Sequence, residues 1–397
     1  MLDGHAAAAL AFTRSLGRAG HWVAVGAQRE IFSATKLSKY SCLSFEYPVS
    51  TDDTAAFAAS VAEFATANKI DLIIPITDWT TLPLAHHCEQ MRFPCPVALP
   101  NPGALALASD KYRTVELARS LDIPVPSTWL ISSVQDIETL PQLAFPVVVK
   151  DRFSVRWVHN EAVFGSVAYA YSREELETRT AERLKAAGDV LIQEFVRGTG
   201  IGFSCFALDG EARIPFQWQR IRETDPRGSG SSARQSVAVD PITAESSGKL
   251  IRAAGFDGIA MVEYKQEAGS GRSVLMEING RPWGSIQLAI ASGVDYPRYV
   301  VDWWLSNTKP PKDLPFKKAI TCRRMAGELT HLENLRRGTP SGWPVPYPNL
   351  WSSLMKIAIP WYPGLRYDDF AGGDFRPGVA EISNWFRVRR KKRVNGS

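Results

Sequence analysis

In the segment Val274-Leu-Met-Glu-Ile-Asn-Gly-Arg-Pro-Trp-Gly-Ser285, a carboxylate, a carboxamide and a guanidinium fall at alternate positions: Glu277, Asn279 and Arg281. The apolar lead-in, Val274 to Ile278, reads as a strand, and residues two apart on a strand point to one face. Fourteen residues upstream, Met261-Val-Glu-Tyr-Lys265 sets another acid, Glu263, on a second short strand. Gly269-Ser-Gly-Arg272 supplies the turn that makes the two a hairpin. Glu263, Glu277 and Asn279 then form a hard-oxygen set suited to Mg²⁺ held together with substrate phosphates, with Mn²⁺ an admissible substitute. A hairpin with one solvated face would show the same alternation, so the pattern alone leaves both readings open.

Further upstream, Phe216-Gln-Trp-Gln-Arg-Ile-Arg222 places Arg220 and Arg222 two apart on a strand. They are expected to share a face on which a substrate carboxylate docks bidentately. The run Arg227-Gly-Ser-Gly-Ser-Ser232 follows, with Arg234 as another anion contact. That loop has the composition to fold over a substrate, and equally that of a plain solvent loop.

These groups need a scaffold, and three preceding elements supply one. Phe145-Pro-Val-Val-Val-Lys150 is a buried-looking strand ending in a lysine. Val190-Leu-Ile-Gln-Glu-Phe-Val196 is a second apolar strand, closing at Arg197-Gly198. Ser109-Asp-Lys111 opens a helix, with Ser109 or Asp110 as the N-cap. Lys111 and Lys150 are flexible point charges suited to phosphate oxygens. With a helix-opening lysine, a strand lysine, an acidic hinge strand, then Glu and Glu-x-Asn-x-Arg in order, the chain resembles the ATP-grasp superfamily of carboxylate–amine ligases, over about the first 305 residues. The Gly/Ser loop resembles that of a poorly characterised subgroup.

The resemblance implies a set of roles. Gln193, Glu194, Phe195 and Val196 would offer main-chain groups to adenine, and Glu263, Glu277 and Asn279 would hold Mg²⁺ on ATP. Arg281 would stabilise the transition state and the acyl phosphate. Three departures stand out. Gln193 occupies a position where an acid is often found, and Gly198-Thr-Gly-Ile-Gly202 lies where the family places an acid for the ribose. Gly280 replaces the proline usual in Asn-Pro-Arg.

Composition bounds the rest. The chain has 397 residues, 45% of them hydrophobic, a length for two or three domains. The longest apolar runs are strand-length, and the Ala-rich start carries Asp3 and His5 with no basic stretch before it, so neither a membrane span nor a signal peptide is expected. The five scattered cysteines read as reduced thiols of a cytoplasmic protein. His86-His87-Cys88 is no expected metal site, because neighbours on a helix diverge. The net charge of +5 is less than the six basic residues between Arg387 and Arg393, so basicity belongs to the tail. A weak contact of that tail with anionic membrane, helped by Trp385 and Phe386, is one reading, and a solvated terminus is the other. No nucleic-acid recognition module accompanies it.

Helix-like Ala6–Ala19, strand-like His21–Val25, helix-like Ala55–Ala67 and strand-like Asp71–Ile76 alternate as in a small parallel α/β domain. The chain begins inside the expected first strand. Asp3 and Asp78 follow strand ends, where α/β sheets bind ligands; Asp78 suits a helix N-cap as well. The fold class is therefore α/β and α+β multidomain: an N-terminal parallel α/β domain at 1–105, a first ATP-binding lobe at 106–189 and a second lobe with the metal and substrate sites at 190–310. A C-terminal appendage with the basic tail covers 311–397. Residues 151–167, with Arg152, Arg156 and Gly165-Ser166, are expected to flap over the phosphates.

The leading expectation is an ATP-dependent, ADP-forming ligase joining a small-molecule carboxylate to an amine, with a homodimer left open. A kinase or carboxylase on the same fold, and a non-catalytic nucleotide-binding sensor or scaffold, are the alternatives.

Overall fold

A computed structural model describes residues 1–88, 90–158 and 161–395. The chain opens with helix α1 (Ala7–Arg18), strands β1 (Ala24–Gln28) and β2 (Leu43–Tyr47), and helices α2 (Thr54–Ala67) and α3 (Asp78–Cys88). β1 starts three residues later than the hydrophobic pattern suggests, because Gly20 turns the chain at φ +92° and His21 and Trp22 face solvent. β1 and β2 pair in parallel. Residues 1–4 lie along β1: Gly26 N–H donates to Met1 O (2.8 Å) and Gly4 N–H to Gly26 O (2.9 Å).

Among the described residues the expected strand at 71–76 makes only one bridge, Ile73 with Val97. Pro75 has no N–H to give. The N–H groups of Ile76 and Thr77 turn to the Asp3 carboxylate instead (3.2 and 2.8 Å).

Helices α4 (Pro102–Ser109) and α5 (Lys111–Ser120) lead to strands β3 (Thr128–Ile131), β4 (Val147–Asp151), β5 (Val155–Val158), β6 (Glu161–Phe164) and β7 (Val167–Ala170). Helix α6 (Arg173–Ala187) and strand β8 (Val190–Glu194) follow. Asp110 is the N-cap of α5, accepting from Tyr112 and Arg113 N–H (3.1 Å each). The four-stranded sheet runs β3-β8-β4-β7. β8, placed by the sequence at the head of the second lobe, is thus an inner strand of the first.

β5 and β6 form the hairpin expected as a flap. His159, Asn160 and the Arg156 side chain lie outside the described residues. At the hairpin's base Arg152 is committed to Asp110 (2.7 Å) and Asp189 (3.0 Å).

The remaining elements are strands β9 (Gly198–Leu208), β10 (Glu211–Glu223), β11 (Ser231–Val237), helix α7 (Pro241–Ala254), strands β12 (Gly258–Glu267) and β13 (Ser273–Asn279), and helices α8 (Ile286–Ser292) and α9 (Tyr296–Ser306). Last come strand β14 (Thr321–Arg323), helices α10 (Met325–Arg336) and α11 (Leu350–Ala358), strand β15 (Leu365–Tyr367) and helix α12 (Arg376–Asn395).

The large sheet has the order β13-β12-β9-β10-β11-β14-β15. Residues beyond 311 therefore extend it with two strands. β9 shows why this sheet is buried on both faces: Phe203, Cys205 and Ala207 pack with Leu250 and Ile251 of α7, and Phe206 and Leu208 pack with Phe12 of α1 and Tyr296 of α9.

Buried ion pairs fasten the last part to the rest. Arg14 donates to the Asp374 carboxylate (2.7 Å) and to the carbonyls of Asp368, Asp369 and Asp374. Arg234 meets both oxygens of Asp368 (2.5 Å each). Among the described residues no helix is long and apolar enough to cross a membrane, and all five cysteines are free.

Candidate functional site

The β12–β13 ladder sets Glu263 directly opposite Glu277, with Asn279 two residues further along β13 on the same face. Asn279 Nδ2 donates to Glu277 Oε1 (3.0 Å), which fixes the amide and leaves Asn279 Oδ1 and Glu277 Oε2 without hydrogen-bond partners among the described residues. Glu263 gives Oε1 to Arg220 and keeps Oε2 free in the same sense. Burial pushes the Glu263 carboxyl up to about 7; Arg220 pulls it down, while Glu277 and Glu223 add to the rise.

Among the described residues no group of three or more His, Cys, Asp and Glu is arranged to hold a metal ion. The set available is two carboxylates and an amide, each with one free oxygen, crowded enough that like charges oppose one another. A hard divalent cation fits such a donor set and relieves that crowding.

Arg220 reaches Glu263 from β10, across the intervening strand β9. The reach depends on two glycines. A Cβ on Gly200 would collide with the Arg220 side chain, and one on Gly202 with the Trp218 indole. Gly198-Thr-Gly-Ile-Gly202, which the sequence marked as the place of a missing ribose acid, is thus the bare floor over which Trp218 and Arg220 lie. Arg220 also donates to Glu223 (2.8 Å) and to Ser229 O (2.7 Å) in the Gly/Ser loop.

The expected clamp of Arg220 with Arg222 is not formed. A register shift in the β10–β11 ladder falls between them, so the alternation breaks. Arg222 turns to α10 and makes a bidentate pair with Glu328 (2.9 and 2.9 Å). Arg234 is likewise spent on Asp368.

Across from Glu277 stand the two lysines. Lys150 is next to last in β4 and is 7% exposed. Burial lowers its ammonium to about 8, Lys111 lowers it further and Glu277 opposes them. Lys111, on the first turn of α5, donates to Ser154 Oγ (3.2 Å). Burial lowers it too, with Glu277 the foremost of four carboxylates holding it up. The structure therefore brings Lys111, Lys150 and Glu277 into one electrostatic neighbourhood.

At the hinge, Gln193 is buried and donates from Nε2 to Thr128 Oγ1 (2.9 Å). Glu194 is exposed and its carboxylate accepts from Ser127 N–H and Oγ–H (3.3 and 3.1 Å). Phe195 packs edge-on to Tyr169 and Trp343, with Lys265 Nζ 5.2 Å from its ring centre. Lys265 also donates to Val196 O (3.1 Å).

Arg281 lies just beyond β13 and pairs with Asp78 at the start of α3 (2.7 Å). Burial raises the Asp78 carboxyl, but Arg281 outweighs it and holds the group below the usual carboxylate range. The Arg281 guanidinium thus joins the second lobe to the N-terminal domain.

Several residues at this site were missed in the sequence. Lys265 was legible, since it lies two positions after Glu263 and so shares its face. Trp218 and Trp283 stood within the quoted segments without a role of their own. Trp343, Arg324, Glu381 and Trp385 come from the last 87 residues, whose irregular pattern gave no register to argue from.

The family described as ATP-grasp in the biosynthetic pathway with Ter operon matches residues 187–328. The chain is 26% identical over 212 residues to a probable alpha-L-glutamate ligase of Thioalkalivibrio sulfidiphilus (strain HL-EbGR7), covering 52% of this chain and 66% of that one. It is 31% identical over 113 residues to a D-alanine–D-alanine ligase of Pseudomonas entomophila (strain L48), covering 28% and 33%. The matches thus span just under two thirds and about one third of these relatives' lengths. In three dimensions it is similar to an L-amino acid ligase from Bacillus licheniformis, with a TM-score of 0.58 at 15% identity over 74% of this chain and 71% of that one. The order of the hinge strand, the acidic hairpin and the two lysines agrees with these likenesses: residues 187–328 match an ATP-grasp family, and the chain shares the fold of an amino-acid ligase.

Proposed function

We propose that the chain is an ATP-dependent ligase that activates a small-molecule carboxylate and joins it to an amine. The observation that carries this reading is the set of free oxygens on Glu263, Glu277 and Asn279 in the electrostatic neighbourhood of the buried Lys150 and the half-buried Lys111 of the first lobe. The ligase relatives support it.

In this reading Lys111 and Lys150 hold the phosphates of ATP, and the main chain of Gln193–Val196 takes the adenine. Glu263, Glu277 and Asn279 would hold Mg²⁺, which supplies charge neutralisation at the transferred phosphoryl group. A substrate carboxylate oxygen attacks the γ-phosphorus, the bond to the β-γ bridging oxygen breaks and ADP leaves. The amine nitrogen then attacks the acyl carbon, the bond to the phosphate oxygen breaks, inorganic phosphate leaves and the nitrogen gives up a proton. Arg281, held by Asp78, and Arg220, held by Glu263, supply positive charge where these anions form. Residues 106–310 hold the chemistry, and 1–105 and 311–397 supply its outer walls.

The protein is read as cytoplasmic. Arg389 is bound to Glu333 (2.7 Å) and stacked on Trp385, so any contact of the tail with anionic membrane falls to the residues around Arg390 and Lys391. Homodimerisation is part of the reading only as a quantity to measure by sedimentation.

Purified protein with ATP and Mg²⁺, pooled carboxylic acids and pooled amines tests the proposal. ADP formed only when acid and amine are both present supports it. AMP as the nucleotide product, or activity that persists in Glu277→Ala, refutes it.

A further inference from the structure

A cavity of about 430 Å³ opens beside Glu263 of β12 and Arg220 of β10 and reaches Arg324, which follows β14 toward the other edge of the sheet. One wall is the sheet face with Trp218, Met261 and Trp283; the other comes from α10 and α12. The volume falls in the range of small-molecule sites. That second wall is built with care. Trp385 donates its indole N–H to Thr330 Oγ1 (2.8 Å), and the Arg389 guanidinium lies 3.9 Å from the Trp385 ring centre.

The wall also presents an ion pair. Arg324 gives Nε (2.8 Å) and Nη2 to a single oxygen of Glu381. The Arg324 side chain is 38% exposed although its residue lines the cavity, and no donation from its Nη1 is made among the described residues. A guanidinium with an unspent donor edge at the end of an aromatic-lined cavity is a carboxylate receptor. An amine that must reach the Glu263 end to attack would carry its own anion at the opposite end.

Building on the ligase reading, we propose that this chamber takes the amine substrate, and that this substrate is an amino acid or short peptide with an apolar side chain. Its carboxylate docks on Arg324, its side chain lies among Trp218, Trp283 and Trp385, and its amine points toward Glu263. Glu381 positions Arg324 and competes with the substrate carboxylate for it. Residues 311–397 thereby set acceptor choice.

The test compares phenylalanine with phenethylamine, and leucine with isoamylamine, as acceptors in ADP release. Wild type should favour the carboxylate-bearing member of each pair. Arg324→Gln should raise the amino-acid KM about 10–100-fold, the worth of a charge-assisted pair, and abolish the preference while the KM for ATP stays put. Glu381→Gln should move the other way, lowering the amino-acid KM several-fold because Arg324 loses its competitor.

Opposite signs from the two halves of one ion pair are what a merely structural bridge cannot give. Amino-acid KM raised alike in both variants, or a preference intact in Arg324→Gln, overturns the proposal. If Arg324→Gln fails to fold by circular dichroism, the sign of Glu381→Gln decides.

Binding gives a readout free of turnover: phenylalanine should quench tryptophan fluorescence in the presence of Mg²⁺ and ADP, and phenethylamine should not. If no acid and amine pool yields ADP but this selective quenching holds and is lost in Arg324→Gln, the ligase reading falls and the chamber stands. Equal quenching by both compounds removes the chamber.

Discussion

The seam that fastens residues 311–397 to the rest and the face shared by Lys150 and Glu277 both bury charge, and they partner it in opposite ways. At the seam Arg14, Arg222 and Arg234 each meet carboxylate oxygens at 2.5–2.9 Å, and Arg14 adds three main-chain carbonyls. At the site Lys150 has no hydrogen-bond partner among the described residues, Lys111 has one at 3.2 Å, and three carboxylate or amide oxygens are free. Leaving a buried charge unpaired costs far more than pairing it. The seam pairs each of these arginines with a carboxylate, with single atoms such as Arg234 Nε and Asp369 Oδ1 left unmatched, whereas the site leaves a whole ammonium and three oxygens open among the described residues, an arrangement suited to something that arrives from solution.

Four experiments can break or sharpen that contrast. The largest effect is expected at the open face. Glu277→Ala should lower turnover on the order of 10³-fold or more while thermal unfolding is little changed, since Glu277 has no cationic partner to strand within hydrogen-bond reach. A large loss of stability in that variant would make Glu277 part of the frame and collapse the distinction.

Next comes the seam. Arg234→Ala leaves Asp368 buried without its partner and should cost roughly 3–5 kcal/mol in denaturant unfolding. A change within experimental error would show the seam to be ornament.

Lys150→Met should act in the reverse sense. Burial holds this ammonium at about 8, below its usual 10.5, so the charged form costs stability at every pH below about 8 and the cost fades as pH rises toward 10.5. The variant should therefore gain about 1–3 kcal/mol at pH 7 and lose that advantage in alkaline solution. In the wild type, ADP affinity should fall as pH rises above about 8, where the free lysine loses its proton, and the slope should flatten in Lys150→Met. Unchanged ADP affinity in the variant would remove Lys150 from the phosphates.

The smallest effect is a control at a cap that bonds to none of the charged residues of either region. Asp240 caps α7 by accepting from Thr243 N–H and Oγ1–H (2.8 and 2.7 Å). Asp240→Ala should lower stability by about 1 kcal/mol and leave kcat alone, showing that a modest loss of stability does not itself slow the reaction.

How much of this was legible in the sequence follows from how local the determinants are. The hairpin of Glu263 and Glu277 could be read because period-2 alternation and a Gly-rich turn sit within one short stretch. Asp110 as a cap and Lys150 at a strand end were readable for the same reason. The Arg220–Arg222 pair misled because a register shift is set by the neighbouring strand β11 and leaves no mark in Phe216–Arg222 itself. The strand at 71–76 failed because Asp3, some seventy residues away, captures the N–H groups that a ladder would use. The chamber wall was invisible because Arg324 and Glu381 are brought together only by the packing of α10 and α12.

Arg14 carries one more consequence, for how the chain is made. Its side-chain acceptors lie at 368, 369 and 374, separated from it by 354 to 360 positions. At ordinary synthesis rates a ribosome needs roughly 20–70 s to cover that distance. Throughout that interval α1 has a guanidinium without these acceptors, so its burial against them can be completed only after residues 368–374 have emerged.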